Sequence, residues 1–210
     1  MSSQIKEIAK SRLKDNRWPM VLAALIPALL SGLSSGLSSV ANGENTDPTT
    51  AKIIFVICFA LTLFVVNIVA IGVCKYFRAN ILHNEEVSTV SDGFKTSYGR
   101  NVGVMFLMSL LTALGMICLI VPGVMLALGF SLVPYILAED AEIGAIDALK
   151  KSWNLMKGFK WEYFVLQLSF VGWFILDILT LGILGIFYVH PYYYQTLAIY
   201  CDRIMARTDA

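Results

Sequence analysis

A chain of 210 residues with 57% apolar, 12% aromatic and only 15% charged side chains falls well short of the roughly 25% charge usual in soluble domains. The mean hydropathy of +0.69 agrees, and several apolar runs approach the ~20 residues that cross a bilayer. No segment is long enough for a separate soluble domain, so residues 1–210 read as one integral membrane domain. The net charge of +1 says little in itself, because in a membrane protein the placement of charge outweighs its sum.

Residues 3–17 place Ile5, Ile8, Ala9 and Leu13 on one helical face, with Lys6, Lys10, Arg12, Lys14 and Arg17 around them. This is the pattern of an interfacial helix, closed by Trp18 at the boundary. A first span is expected at 19–40. Its second half, SGLSSGLSS, contains Gly32-x-x-x-Gly36, a small-residue face that lets another helix approach closely. The basic start, the apolar run and Ser39-Val40-Ala41 imitate a cleavable signal. The basic region is long and amphipathic, however, and more spans follow, so the segment reads as retained.

Residues 41–51, ANGENTDPTTA, form a loop by their turn residues. A second span is expected at 53–74. Between His83 and Arg100 a short amphipathic piece sets Val87, Val90, Phe94 and Tyr98 against Asp92 and Lys95. Span three is expected at 101–120, followed by a tight turn at Val121-Pro122-Gly123, because Pro and Gly together break a helix. Span four, 124–138, is short and carries Pro134, which predicts a tilt or kink.

The most informative stretch runs from Glu139 to Gly182. Ile143, Ile146, Leu149, Trp153 and Met156 line one side of a third amphipathic helix, opposite Glu142, Asp147, Lys150, Lys151, Asn154 and Lys157. Acids gather at its start and lysines at its end, which suits the helix dipole, and Gly158 is a natural stop. After Lys160, Trp161 and Tyr163 stand where an aromatic belt belongs. Span five is expected at 162–179, a turn at Thr180-Leu181-Gly182, and span six at 183–200, interrupted by His190-Pro191.

The expected architecture is therefore an all-α polytopic membrane helix bundle. Six transmembrane helices form three hairpins, with short cytoplasmic amphipathic helices before spans one, three and five. With both termini cytoplasmic, fifteen of the sixteen Lys and Arg residues lie on that side and only Lys52 lies outside, as the positive-inside rule demands. Similar strings, AKSRLKDNRW, FKTSYGRN and LKKSWNLMKGFKW, precede the three hairpins, suggesting three copies of one unit.

Sites of chemistry are sparse. Cys58, Cys74, Cys118 and Cys201 are scattered without a CxxC pair and read as small packing residues. Gly32-Leu33-Ser34-Ser35-Gly36 matches the GxSxG of serine hydrolases, but that motif needs a strand–turn–helix elbow and here lies in an apolar helix. His83 and His190 are the only histidines and have no zinc-binding spacing. Asp177 is the costliest residue, since an acid deep in a span costs about 2.5–3.5 kcal/mol on insertion scales. Its place near the outer turn lowers that cost. Asn67, Asp177 and His190 are the candidate intramembrane polar sites. Lys150, Lys151, Trp153, Lys157, Lys160 and Trp161 are the candidate lipid- or partner-binding surface, each cation contributing about 1 kcal/mol near an anionic leaflet.

The strings IKEIAKSRLKDNRW, IVPGVMLALGFSLVPYILAED, AIDALKKSWNLMKGFKWEYFVLQLSFVGWFILDILTLGI and HPYYYQ resemble a family of bacterial integral membrane proteins known as domain of unknown function nine-seven-five. The run from Lys151 to Gly158 followed by Trp161 carries the likeness most specifically. The resemblance implies a six-helix inner-membrane protein without an assigned activity, and it carries over no catalytic residue. Asp177 and His190 stand where the resemblance implies apolar or small residues.

The resulting expectation is a non-enzymatic protein of the cytoplasmic membrane, without cofactor, metal or nucleic acid. Its partners would be anionic lipids of the inner leaflet, and another membrane protein or further copies of itself. The alternative is a small oligomeric transporter or channel using Asn67, Asp177 and His190. An intramembrane hydrolase using Ser34 is a third class.

Overall fold

A computed structural model describes residues 2–43, 46–81, 86–95, 97–140 and 142–207, without the side chains of residues 2, 3 and 118. His83 and the Cys118 side chain thus lie outside the described residues. Among the described residues the backbone is helix and turn, with no strand.

Helix α1 (Ser2–Asp15) leads through Asn16 into α2 (Arg17–Ala41). Helix α3 (Pro48–Leu61) begins ahead of the apolar run at Ile53, because Asp47 caps it. The Asp47 carboxylate accepts from the Thr49 and Thr50 N–H groups at 2.9 and 3.1 Å. Pro48 occupies a first-turn position whose N–H has no helical partner anyway. A π-helical turn at Thr62–Val66 then carries the chain without a break into α4 (Asn67–Ala79).

The middle third opens with a tight 3-10 turn at Val87–Ser91, the short α5 (Asp92–Lys95) and then α6 (Tyr98–Cys118). The turn expected at Val121-Pro122-Gly123 falls instead at Leu119, which is extended at φ −163° and ψ 144°. Pro122 and Gly123 lie inside the first turns of α7 (Ile120–Gly129). Proline breaks a helix only where its N–H is needed, and in the first turn it is not. A turn at 130–132 separates α7 from α8 (Val133–Glu139), so the bend expected from Pro134 precedes it.

The last third comprises α9 (Ala145–Leu155), α10 (Lys160–Leu168), α11 (Val171–Leu179) and α12 (His190–Ala206). Gly158 and Gly182 adopt the left-handed conformation, φ +82° and +83°, which ends α9 and the α11 turn at little steric cost. The interruption expected at His190-Pro191 does not occur. A π-helical turn at Gly185–Val189 runs straight into α12. Its wider hydrogen-bond spacing makes room for the Pro191 ring, which would crowd the carbonyl four residues back in a regular helix.

Among the described residues, five helical stretches are long and apolar enough to cross a membrane: Arg17–Ala41, Pro48–Ala79, Tyr98–Ile117, Ile120–Glu139 and Lys160–Leu179. The run 183–200 is helical too. Most of that run belongs to α12, which carries Gln195, Asp202 and Arg203 and is largely buried against the rest of the chain.

The packing order is circular. The 3-10 turn and α5 lie along α4, α9 lies across α6, α8 and α7, and α1 lies along α12. The α5 region thus seats against the closing helix of the preceding pair, α9 against both helices of the pair before it, and the first short helix against the last long one. Ile5, Ala9 and Leu13 of α1 join Tyr76, Phe77, Leu132, Ile136, Tyr192 and Tyr200 in one core. At the C-terminal ends of the closing helices, Arg78 of α4 meets both Glu139 of α8 and Asp202 of α12.

Candidate functional site

Helix α9 does not rest on one apolar face as its periodicity suggests. Leu149 and Met156 are buried in the protein, Ile143 and Trp153 are half-buried, and Ile146 is 61% exposed. Ala148, Ser152 and Leu155 are buried with them. Two contacts set this rotation. The buried Ser152 hydroxyl donates to the Gly129 carbonyl at 2.8 Å, and the Trp153 ring fills the space where any side chain at residue 129 would stand. Upstream, the Arg100 guanidinium reaches Glu142 at 3.3 Å and ties the start of α6 to the approach to α9.

The six residues of the candidate surface separate into three places. Lys151 and Lys157 line a cavity of about 600 Å³ with Glu139, Asn154, Phe159 and Arg207. Leu155, Ile204 and Met205 supply its apolar part. On the other flank of α9, Lys150 and Trp153 edge an almost wholly apolar groove of about 340 Å³ formed with Leu107, Leu111, Leu126 and Phe130. Asn154 lines both spaces. The Lys160 ammonium sits over the Trp153 ring, 3.0 Å from its centroid, a cation–π contact that fixes both side chains. Trp161 stands apart, 74% exposed, with its ring tilted 32° to that of Phe164 at 5.6 Å.

The intramembrane polar candidates do not form one cluster. Asp177 and His190 come together, with carboxylate and imidazole Nε2 3.8 Å apart. The other Asp177 oxygen accepts the Gly185 N–H at 2.7 Å. Gly185 has no Cβ, and the Asp177 carboxylate occupies the space one would take. Asn67 lies elsewhere, half-buried at the start of α4.

Ser34 sits within the continuous helix α2, so the elbow of a GxSxG nucleophile is not formed there. Its carbonyl accepts from the Cys58 thiol at 3.7 Å, and the Ser38 hydroxyl donates to that sulfur at 3.8 Å, both across the α2–α3 contact. Gly32 and Gly36, expected to admit a close helix, have nothing within 4 Å of a Cβ position. Cys58 and Cys201 are buried and Cys74 is half-buried, all three as free thiols.

Two groups on the short helices carry shifted acidities. The Asp92 carboxylate accepts from the Lys75 ammonium at 2.8 Å and from that of Lys95 at 3.2 Å, and these two bonds hold its carboxyl below the ordinary range. Burial, helped by the neighbouring Lys10, lowers the ammonium of Lys6, whose charge lies 4.8 Å from the Phe170 ring centroid. Sequence reasoning missed the Arg78 network and the Ser152–Gly129 bond. No local signal marks either, because their partners are 23 to 124 residues distant.

The family described as "Protein of unknown function (DUF975)" matches residues 49–208, and the chain belongs to that family. A UPF0259 membrane protein of Sodalis glossinidius (strain morsitans) is 44% identical over 52 residues, covering 25% of this chain and 20% of the relative. The chain thus matches about a fifth of that relative's length. No solved structure matches it. Family, relative and apolar helices together mark a membrane protein.

Proposed function

We propose that this DUF975 protein is a non-enzymatic accessory component of the cytoplasmic membrane, and that the two flanks of α9 hold an anionic amphiphile. In this reading six helices span the bilayer as three hairpins, with α1, the α5 region and α9 at the cytoplasmic face and both termini inside. The charge distribution supports that orientation, since only Lys52 falls on the outer side.

The observation that carries the reading is the junction at Asn154. A cavity with Lys151, Lys157 and Arg207 at its wall meets an apolar groove edged by Lys150 and Trp153. Among the described residues, Lys150, Lys151 and Lys157 have no carboxylate within ion-pair distance. Cationic and apolar surfaces in contact suit a molecule with a charged head and an apolar body. The test is native mass spectrometry of the protein released gently from its own membrane. A bound lipid or second polypeptide that disappears in the Lys150→Gln/Lys151→Gln/Lys157→Gln variant supports the reading. A bare protein in both samples defeats it.

The second reading, a small oligomeric transporter, draws on the Asp177–His190 approach beside a π-helical turn. Ionisable groups paired within a membrane commonly mark a path for ions or protons, and π-turns recur at functional positions. It predicts a flux into liposomes that Asp177→Asn abolishes while insertion is unchanged.

A further inference from the structure

Lys10 and Lys14, four residues apart, share one side of α1, and Arg17 opens α2 just beyond the corner at Asn16. Like charges four apart weaken a helix, and the acids of this segment, Glu7 and Asp15, form no ion pair with them. Among the described residues none of the three has a carboxylate within ion-pair distance. All three side chains are exposed, and they converge on one recess. The three cations line a pocket of about 310 Å³, completed by Leu13 and Tyr188.

The pocket walls are held from three directions. Leu13 is 3% exposed and anchors α1 in the core. Asn16, at the corner between α1 and α2, donates its side-chain amide to Asn80 at 3.1 Å. Tyr188 comes from the π-helical turn, with its ring packed on Trp173 and Tyr192 at 5.4 and 5.7 Å. Next to this cationic recess lies an exposed apolar wall. Trp18, 68% exposed, meets Phe187 edge-on at 6.4 Å, and Leu22 on the following turn is 52% exposed.

We infer that this pocket binds the headgroup of an anionic phospholipid, with its phosphate between Lys10, Lys14 and Arg17 and one acyl chain along Trp18, Leu22 and Phe187. A guanidinium offers phosphate a planar two-pronged donor, and ammonium groups add point charges. Three cations without an acid suit a phosphate ester, and the Tyr188 hydroxyl supplies a neutral donor. The adjoining apolar wall selects a lipid over a free anion, because a soluble phosphate leaves that wall uncovered. The site shares no residue with the α9 surface and stands whether or not that surface binds anything.

The test is a titration of delipidated full-length protein in detergent with phosphatidylglycerol or phosphatidylcholine, read by native mass spectrometry. The expected result is one phosphatidylglycerol retained through this site, with affinity reduced at least about tenfold in Lys10→Gln/Lys14→Gln and restored in Lys10→Arg/Lys14→Arg. Tyr188→Phe, which leaves every charge in place, lowers affinity about two- to fivefold. The same losses occur in the background of Lys150→Gln/Lys151→Gln/Lys157→Gln, which separates this site from the α9 surface. Equal retention of phosphatidylcholine, or unchanged binding in both the Lys10/Lys14 double variant and Tyr188→Phe, overturns the inference. Full displacement of the lipid by equimolar inorganic phosphate overturns it as well, since the pocket would then take a free anion.

Discussion

The Arg78 Nε donates to Asp202 Oδ1 at 2.9 Å, joining residues 124 positions apart. The same guanidinium grips Glu139 through both terminal nitrogens, at 3.2 and 3.3 Å. One side chain, only 24% exposed, thereby ties together α4, α8 and α12. Hydrogen bonds to charged groups contribute about 1.5–3 kcal/mol. Arg78→Ala is expected to destabilise the protein by at least that much and to leave two acids facing each other. Thermal unfolding in detergent reads the loss, and Arg78→Lys recovers part of it, because an ammonium lacks the two-sided fork.

Gly72 and Gly129 are the points where the short helices come closest to their supports. A Cβ at residue 72 would overlap the Val90 backbone, and one at residue 129 would overlap the Trp153 ring. Backbone cannot yield as a side chain can, so Gly72→Ala should cost about 1–3 kcal/mol or more. Gly129→Ala should cost less but displace the indole and change tryptophan fluorescence. Unaltered emission in Gly129→Ala would contradict the seating of α9 described above.

Asp177 has a structural duty whatever else it does, because the Gly185 N–H depends on it. Asp177→Ala leaves that donor unsatisfied and should cost about 1–3 kcal/mol. Asp177→Asn keeps an acceptor and should unfold close to the wild-type temperature. A liposome flux that falls in Asp177→Asn would then report on ionisation rather than on folding.

The contact between α5 and α4 should respond to acid. The two lysine bonds lower the folded-state pKa of Asp92 below its unfolded value, which is about 4. A depressed carboxyl stabilises the fold above the unfolded value, and that contribution fades as pH falls through the folded value. The wild-type protein should therefore lose thermal stability as the pH falls below about 4. Asp92→Asn should be less stable at neutral pH and should show a smaller decline over the same window.

Helix positions were legible from residues alone because helical periodicity is written within four positions along the chain. Apolar runs marked the five long stretches, and Gly158 and the Thr180–Gly182 segment marked turns that the chain makes. Local chemistry also explains the departures in detail. Asp47 and Pro48 start α3 early, and the π-helical turn absorbs Pro191. Other features depended on how helices cross and in what register. Which side of α9 is buried depends on Gly129 and Trp153 meeting. The approach of Asp177 to His190 needs the hairpin turn at residues 180–182 and the absence of a Cβ at Gly185. The meeting of Lys10, Lys14 and Arg17 with Tyr188 needs α1 to lie along α12, at the opposite end of the chain. Periodicity assigns a residue to a face, but only the packing of distant helices decides what that face meets, because contact energies fall away within a few ångströms.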